Sequence, residues 1–278
     1  MQISLFSSAI KPHLWKKLMD SLKSNTIEYE VIFAGPLEES ITDMFTSEYP
    51  QLKYIKTENI KVAQCYEVAR RACNGEIVGW ISDDCVFPAG ALNKIWSHFD
   101  YNYAKSVFAI GNHDPECENN NLNDQRFFSR NLNTPQMANI GFMNRRYLEE
   151  LGGIDRRYIY GKWECDICMR VLADGGQVVK YEDVVVSINH TNKCGHINND
   201  WSGVNEDGEI LDNSWVIGGY TGVPKALFVI NDNHTMGAFY PITNQEVTLH
   251  RNDCFEPYVD DGTLQTKSQG MNIPGRWV

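Results

Sequence analysis

Trp80–Pro88 reads WISDDCVFP: an apolar run that ends in two adjacent aspartates, Asp83 and Asp84. A buried carboxylate needs a partner, a proton or a metal, so two in succession at the close of a strand mark either a helix cap or a site. The preceding segment, "EIVGWIS", is a strand, and Pro88 with "AGAL" opens a helix shortly afterwards. Capping and a solvated turn are the plain explanation of the pair. The chemical ones are a hard-cation site for Mg²⁺ or Mn²⁺, which takes oxygen ligands and bridges to phosphates, and an acid/base pair. Neighbouring strand residues face opposite ways, which favours a metal ligand beside a hydroxyl acceptor over two acids sharing a proton.

Outward from this stretch the chain alternates. "MQISLFS", "YEVIFAG", "LKYIKT", "EIVGWIS" and "KSVFAIG" read as strands, with "PHLWKKLMDSLKS", "VAQCYEVARRAC" and "AGALNKIWSHF" as helices between them. Such alternation predicts an α/β fold with a mostly parallel central sheet flanked by helices. Ligands of these sheets bind beyond the carboxyl ends of the strands, which is where Asp83 and Asp84 fall. Residues 112–134 are polar and aperiodic and read as a lid or binding loop. Order resumes with "MANIGFMNRRYLEELGGIDRRY", the helix "WECDICMRVLADGG" and the strand-rich "QVVKYEDVVVSINH". The pattern weakens from about Lys193. The expected division is a domain over 1–194 and an irregular extension over 195–278, packed on the core.

The 278 residues are 42% hydrophobic and 22% charged, ordinary for a globular chain, and the net charge of −11 argues against a nucleic-acid partner or an anionic membrane surface. The sequence has no apolar run long enough for a transmembrane segment, and the first residues lack the basic start of a signal peptide. Eight irregularly spaced cysteines then read as reduced thiols of a cytoplasmic protein. Cys165-x-x-Cys168 with His190, Cys194 and His196 makes a zinc set only on paper, since the helical spacing already explains Cys168 as a core residue. "GGYTG" at 218–222 is a turn and not a dinucleotide fingerprint.

Three segments together resemble the inverting GT-A glycosyltransferases of the large family that contains bacterial polysaccharide and rhamnosyl transferases. They are "NIKVAQCYEVARRACNGEIVGWISDDCVFPAGAL", "NIGFMNRRYLEELGGIDRRYIYGKWECDICMRV" and "VSINH", and the likeness covers roughly residues 1–192. The resemblance implies a GT-A nucleotide-sugar transferase domain acting with inversion on a nucleoside-diphosphate sugar donor and a glycan or lipid-linked acceptor. It implies Asp84 as ligand of Mn²⁺ or Mg²⁺, joined by His190, and Asp83 at the ribose or the metal's water shell. Glu164 falls on the general base and Asp166 on the supporting acid, with the reverse register as the alternative. Ser7 and Ser8 at the end of the first strand, and Lys61 and Gln64 at a helix start, fall where a nucleotide-sugar is held; Lys193 and His196 would help neutralise phosphate. The chain departs from the family pattern at Ile81, where an aspartate is frequent, and at "FAGP", where an acidic base-contacting sequence is frequent. Two other functions compete: a nucleotide-sugar-binding module without catalysis, and a nucleotidyltransferase, against which "FSSAIKPHLW" lacks a glycine-rich loop.

Overall fold

The computed structural model describes residues 1–58, 60–99, 104–113, 138–188 and 202–217, together with five short strand segments between 220 and 251. The first half alternates as its periodicity requires: β1 (Ile3–Ser8), α1 (Pro12–Leu22), β2 (Tyr29–Gly35), α2 (Glu39–Glu48), β3 (Leu52–Lys56), α3 (Val62–Arg71), β4 (Ile77–Trp80), β5 (Cys85–Val86) and α4 (Ala91–His98). There follow β6 (Ser106–His113), β7 (Gly141–Asn144), α5 (Arg145–Glu150), α6 (Trp163–Ala173), β8 (Gln177–Ile188), α7 (Ser202–Ser214) and β9 (Trp215–Ile217). The short strands β10 (Tyr220–Thr221), β11 (Thr235–Met236), β12 (Phe239–Tyr240), β13 (Gln245–Glu246) and β14 (Leu249–Arg251) end the described chain.

The main sheet runs in the order β11-β8-β6-β7-β4-β1-β2-β3, with β5 paired to β8. Strands β3, β2, β1 and β4 are mutually parallel, and β6 is parallel to β8. Strand β7 lies antiparallel to both β4 and β6 and joins the two parallel groups. The sheet is therefore mostly parallel, as expected, but mixed: β1, β2, β3, β4, β6 and β8 run one way and β5, β7 and β11 the other. A four-residue strand carries the same alternation in either direction, so its sequence does not reveal which way it runs.

Packing at the β4–β7 junction is reciprocal. Gly79 pairs with Phe142 and Trp80 with Gly141. A Cβ on Gly79 would lie 2.4 Å from the Phe142 ring, and one on Gly141 would lie 2.1 Å from the Trp80 ring. Each glycine leaves room for the aromatic ring opposite it.

Helices cover both faces. Trp15, Leu18, Met19 and Leu22 of α1 join Phe45 of α2 and Leu92 and Ile95 of α4 over Ile3, Leu5 and Phe33. On the other face α3 and α6 pack over Phe6, Val78 and Trp80. Each such fully buried side chain contributes roughly 1.5–3 kcal/mol. Helix α6 is buried from Trp163 through Val171, so it is covered on more sides than the sheet alone can cover. Helix α7 packs against it and supplies part of that cover.

Three features depart from the sequence expectations. Helix α2 is an element the apolar pattern does not single out. Asn112 and His113 belong to β6 and not to the loop that follows, while the rest of that stretch, 114–134, lies outside the described residues. The extension carries a 13-residue helix, α7, whose sequence SGVNEDGEILDNS has two glycines and few apolar residues and so gives little helical signal.

Candidate active site at the carboxyl ends of the sheet

The acidic pair sits on a tight turn after β4, where the Cys85 N–H donates to the Ser82 carbonyl (3.1 Å). Strand alternation therefore does not govern the two side chains, contrary to the sequence expectation. Both are buried, and both face the loop between β1 and α1.

Asp83 Oδ2 accepts from the Ile10 N–H (2.8 Å), the Lys11 N–H (2.7 Å) and the Trp15 indole N–H (3.3 Å). Lys11 is the N-cap of α1 and has no side-chain acceptor to offer. Asp83 thus caps that helix from across the sheet. Burial raises its carboxyl above the usual range, and the two backbone donors hold it back. The capping explanation is correct for Asp83, but the helix capped is α1 and not the one that follows the pair.

Asp84 is placed differently. Its Oδ2 pairs with Lys11 Nζ at 2.6 Å, while its Oδ1 is buried with no hydrogen-bond partner among the described residues. A buried carboxylate oxygen left unpaired costs a kcal/mol or more, so this atom is poised for a cation or a donor from a ligand. Among the described residues no group of three His, Cys, Asp or Glu side chains could hold a metal by itself. One bare carboxylate oxygen still fits an ion of the Mg²⁺ kind, which commonly takes one or two carboxylates and completes its shell from substrate phosphates and water.

The neighbouring candidates gather through Tyr66. Its hydroxyl donates to the Ile81 carbonyl (2.7 Å) and accepts from Ser7 Oγ (3.4 Å), and its ring stacks obliquely on Trp163 with centroids 4.8 Å apart. The end of β1, the end of β4, helix α3 and the start of α6 therefore meet at one residue. The Ala63 N–H donates to the Ile159 carbonyl (2.8 Å) and ties the first turn of α3 to the segment before α6. At that turn Gln64 Oε1 accepts from the Lys61 N–H (2.8 Å), leaving Gln64 Nε2 as a buried donor without a partner among the described residues. Ser8, half-buried, closes β1.

Helix α6 carries the second acidic group. Glu164 is buried, and desolvation pushes its carboxyl up to about 7, against the pull of nearby backbone N–H groups and the Lys162 charge. Asp166 has both oxygens committed. Its Oδ2 accepts from Arg170 Nε (2.8 Å) and its Oδ1 from the Trp215 indole N–H (3.1 Å). Arg170 in turn donates to the carbonyls of Leu151 (2.5 Å) and Gly153 (2.6 Å), the latter on a residue at φ +76° in the Gly-Gly turn. Asp166 is built into the scaffold, whereas Glu164 sits at the helix start with a proton affinity suited to transfer near neutral pH.

Helix α7 fixes the segment that leads into α6. Asp207 accepts from three successive amides, Ile159 (3.0 Å), Tyr160 (2.7 Å) and Gly161 (3.0 Å). Asp155 of the Gly-Gly-x-Asp turn pairs with Arg157 (2.7 Å), which also donates to Ser214 Oγ at the end of α7 (3.5 Å).

The structure thus brings Ser7, Gln64, Asp83, Asp84 and Glu164 to one end of the sheet, with Lys61 and Ser8 at its margin and Asp166 behind it. His190, Lys193 and His196 lie outside the described residues, as does the histidine end of "VSINH". Cys165 and Cys168 are buried free thiols inside α6, and burial holds Cys168 well above the ordinary thiol range. The sequence reading missed Lys11, Tyr66, Lys162 and Asp207. Only Lys11 carried a local signal, a cation followed by Pro12 at a helix start just beyond the first strand.

No protein-family profile matches the chain, and no curated protein matches it either. Solved structures do. S. aureus TarS matches with a TM-score of 0.54 at 11% identity over 81% of this chain and 41% of that one. Its 1–349 fragment in complex with UDP-GlcNAc matches with a TM-score of 0.52 at 11% identity over 81% and 69%. GalNAc-T7 with UDP, GalNAc and Mn²⁺ matches with a TM-score of 0.50 at 12% identity over 68% and 43%. The chain spans less than half the length of the TarS and GalNAc-T7 chains it matches. Among the described residues no helix is long and apolar enough to cross a membrane. The chain has a glycosyltransferase-like fold, shared with proteins solved with UDP-GlcNAc and with UDP, GalNAc and Mn²⁺.

Proposed function

We propose that the chain is a glycosyltransferase with a GT-A domain over 1–194, moving a sugar with inversion from a nucleoside-diphosphate donor to an acceptor hydroxyl on a glycan or lipid-linked acceptor. The observation that carries this reading is the contrast among four buried acids. Asp83 Oδ2 and both oxygens of Asp166 are committed to protein donors, while Asp84 Oδ1 is buried with no donor among the described residues and Glu164 keeps a proton affinity near neutrality. The likeness in fold to proteins solved with UDP-GlcNAc, and with UDP, GalNAc and Mn²⁺, supports the same reading.

Asp84 would hold Mn²⁺ or Mg²⁺, with His190 as a second ligand. The ion would supply Lewis-acid stabilisation to the departing diphosphate. The remaining roles belong to the chain. Lys11, now on Asp84, is placed to offer its ammonium to the same phosphates, and Gln64 Nε2 and the Ser7–Ser8 strand end offer donors to the nucleotide. Asp83 holds the β1–α1 loop and has one oxygen left for a ribose hydroxyl. Glu164 takes the proton from the acceptor hydroxyl as it attacks, a step that needs one carboxylate on the acceptor side and no covalent intermediate.

The test is calorimetric. UDP and GDP are titrated into the protein with and without Mn²⁺, in parent and in Asp84→Ala. The expected result is Mn²⁺-dependent binding that the substitution abolishes while the circular dichroism spectrum is kept. Equal affinity in both proteins removes the metal assignment. Donor binding without any turnover in the parent, unaffected by Glu164→Gln, would instead favour a binding module.

A further inference from the structure

We propose that Lys162, with the first turn of α6, forms a subsite for an anionic group, a phosphate or a carboxylate, carried by the acceptor. The proposal rests on the transfer reading in taking Glu164 as the acceptor-side base.

Lys162 combines two unfavourable features at one position. The residue is 1% exposed, and its ammonium has no hydrogen-bond partner among the described residues. Burying an unpaired ammonium is unfavourable, and lysine is almost never fully buried unless paired. Its backbone is left-handed, at φ +66° and ψ −13°, a region that strains a residue with a Cβ. A glycine, which would adopt that conformation freely, stands one position earlier at Gly161.

Among the described residues no acid pairs with the Lys162 ammonium. Lys162 is the N-cap of the 11-residue α6, and its own side chain makes no capping bond. Asp207 receives the amides of Ile159, Tyr160 and Gly161. Asp166 is held by Arg170 and Trp215. Glu164 senses the Lys162 charge but makes no ion pair with it among the described contacts. An incoming anion would satisfy the ammonium and the helix terminus together. It would also hold the acceptor's hydroxyl near Glu164, two residues further on. The donor diphosphate has its own cation in Lys11, at the β1–β4 side of the site.

The experiment uses the full chain with UDP and Mn²⁺ at saturation, so that phosphate probes do not enter the donor site. Glucose 6-phosphate, glucuronate and neutral glucose are titrated while thermal stability and tryptophan fluorescence are recorded; Trp163 adjoins the site. The expected result is a saturable response to a charged sugar and none to glucose, and the stronger of the two charged probes identifies phosphate or carboxylate as the ligand. Lys162→Met should weaken that response at least ten-fold. Lys162→Gly, which removes the charge and relaxes the backbone, should abolish the response and raise the melting temperature of the free protein. An unchanged response in both variants, or no preference for charge in the parent, overturns the subsite. UDP binding in the same samples reports on the transfer reading by itself. Its loss with a Lys162-dependent anion response retained would sink the donor assignment and leave the subsite standing.

Discussion

Glu164 and Asp166 stand two residues apart in the first turn of one helix, and their partners give them opposite characters. Asp166 is bonded on both oxygens, so its loss should be felt in folding. Asp166→Asn leaves Arg170 buried without its counter-charge, and urea denaturation should show roughly 3–5 kcal/mol of lost stability. Glu164 is held near pH 7 by desolvation, so its loss should be felt in chemistry. Glu164→Gln keeps the shape and removes the basicity. Turnover should fall about 10²–10⁴-fold while calorimetry shows donor affinity unchanged. In the parent the rate should rise as pH climbs through about 7, because only the ionised carboxylate accepts a proton. The stability sign runs the other way. The folded value lies above the ordinary carboxylate value of 4.5, so the contribution is present below pH 4.5 and is lost as pH rises through about 7. Glu164→Gln should therefore gain on the parent in stability between pH 5 and pH 8, by on the order of 3 kcal/mol at most, read as a relative rise in melting temperature. Parallel curves across that range would mean that Glu164 is not a desolvated acid.

At the scale of elements, α7 and the start of β9 fasten the segment that leads to Glu164, the proposed base. Asp207 takes three amides before α6, Ser214 meets Arg157, and Trp215 bonds Asp166. Asp207 acts through the chain it holds and is a positioning residue. Asp207→Ala should leave the amides of Ile159, Tyr160 and Gly161 without an acceptor and speed their hydrogen exchange. It should lower kcat well beyond any change in donor affinity, because the loop it holds leads to Glu164 and not to Asp84. A fall in donor affinity as large as the fall in kcat would mean general destabilisation. Capping works likewise for α1: the acceptor at its N-terminus belongs to Asp83, so that helix is docked on the acidic turn by its own unsatisfied amides.

Across the whole molecule, the sheet is two parallel groups joined by the antiparallel β7. Ser7, Asp83 and Asp84 hang on the β1–β4 group, and β6 and β8 form the other. Their relation depends on the junction where Gly141 faces Trp80, whose indole is pinned by a 2.7 Å bond to the Ala138 carbonyl. A Gly141→Ala methyl cannot be met by rotating that ring without breaking the bond. It should cost about 1–3 kcal/mol or more, read as a lower denaturation midpoint. Gly161→Ala, where a Cβ meets nothing within 4 Å, is the matched control and should change stability little.

The sequence by itself determined the order of most strands and helices, because period-2 and period-3.6 apolar patterns are local properties of the chain. It also placed Asp83 and Asp84 at the carboxyl end of the sheet and Glu164 and Asp166 at a helix start. Only the tertiary structure decided which acid of each pair is left for chemistry. Asp83 is engaged by amides 72 and 73 residues away and Asp166 by an indole 49 residues away, partners that no local pattern specifies. The direction of β7, the helix α7 and the buried ammonium of Lys162 were hidden for the same reason. Each is fixed by what packs against it from a distant part of the chain, and a short strand, a glycine-bearing helix or a lone lysine reads the same in sequence whether or not that partner arrives.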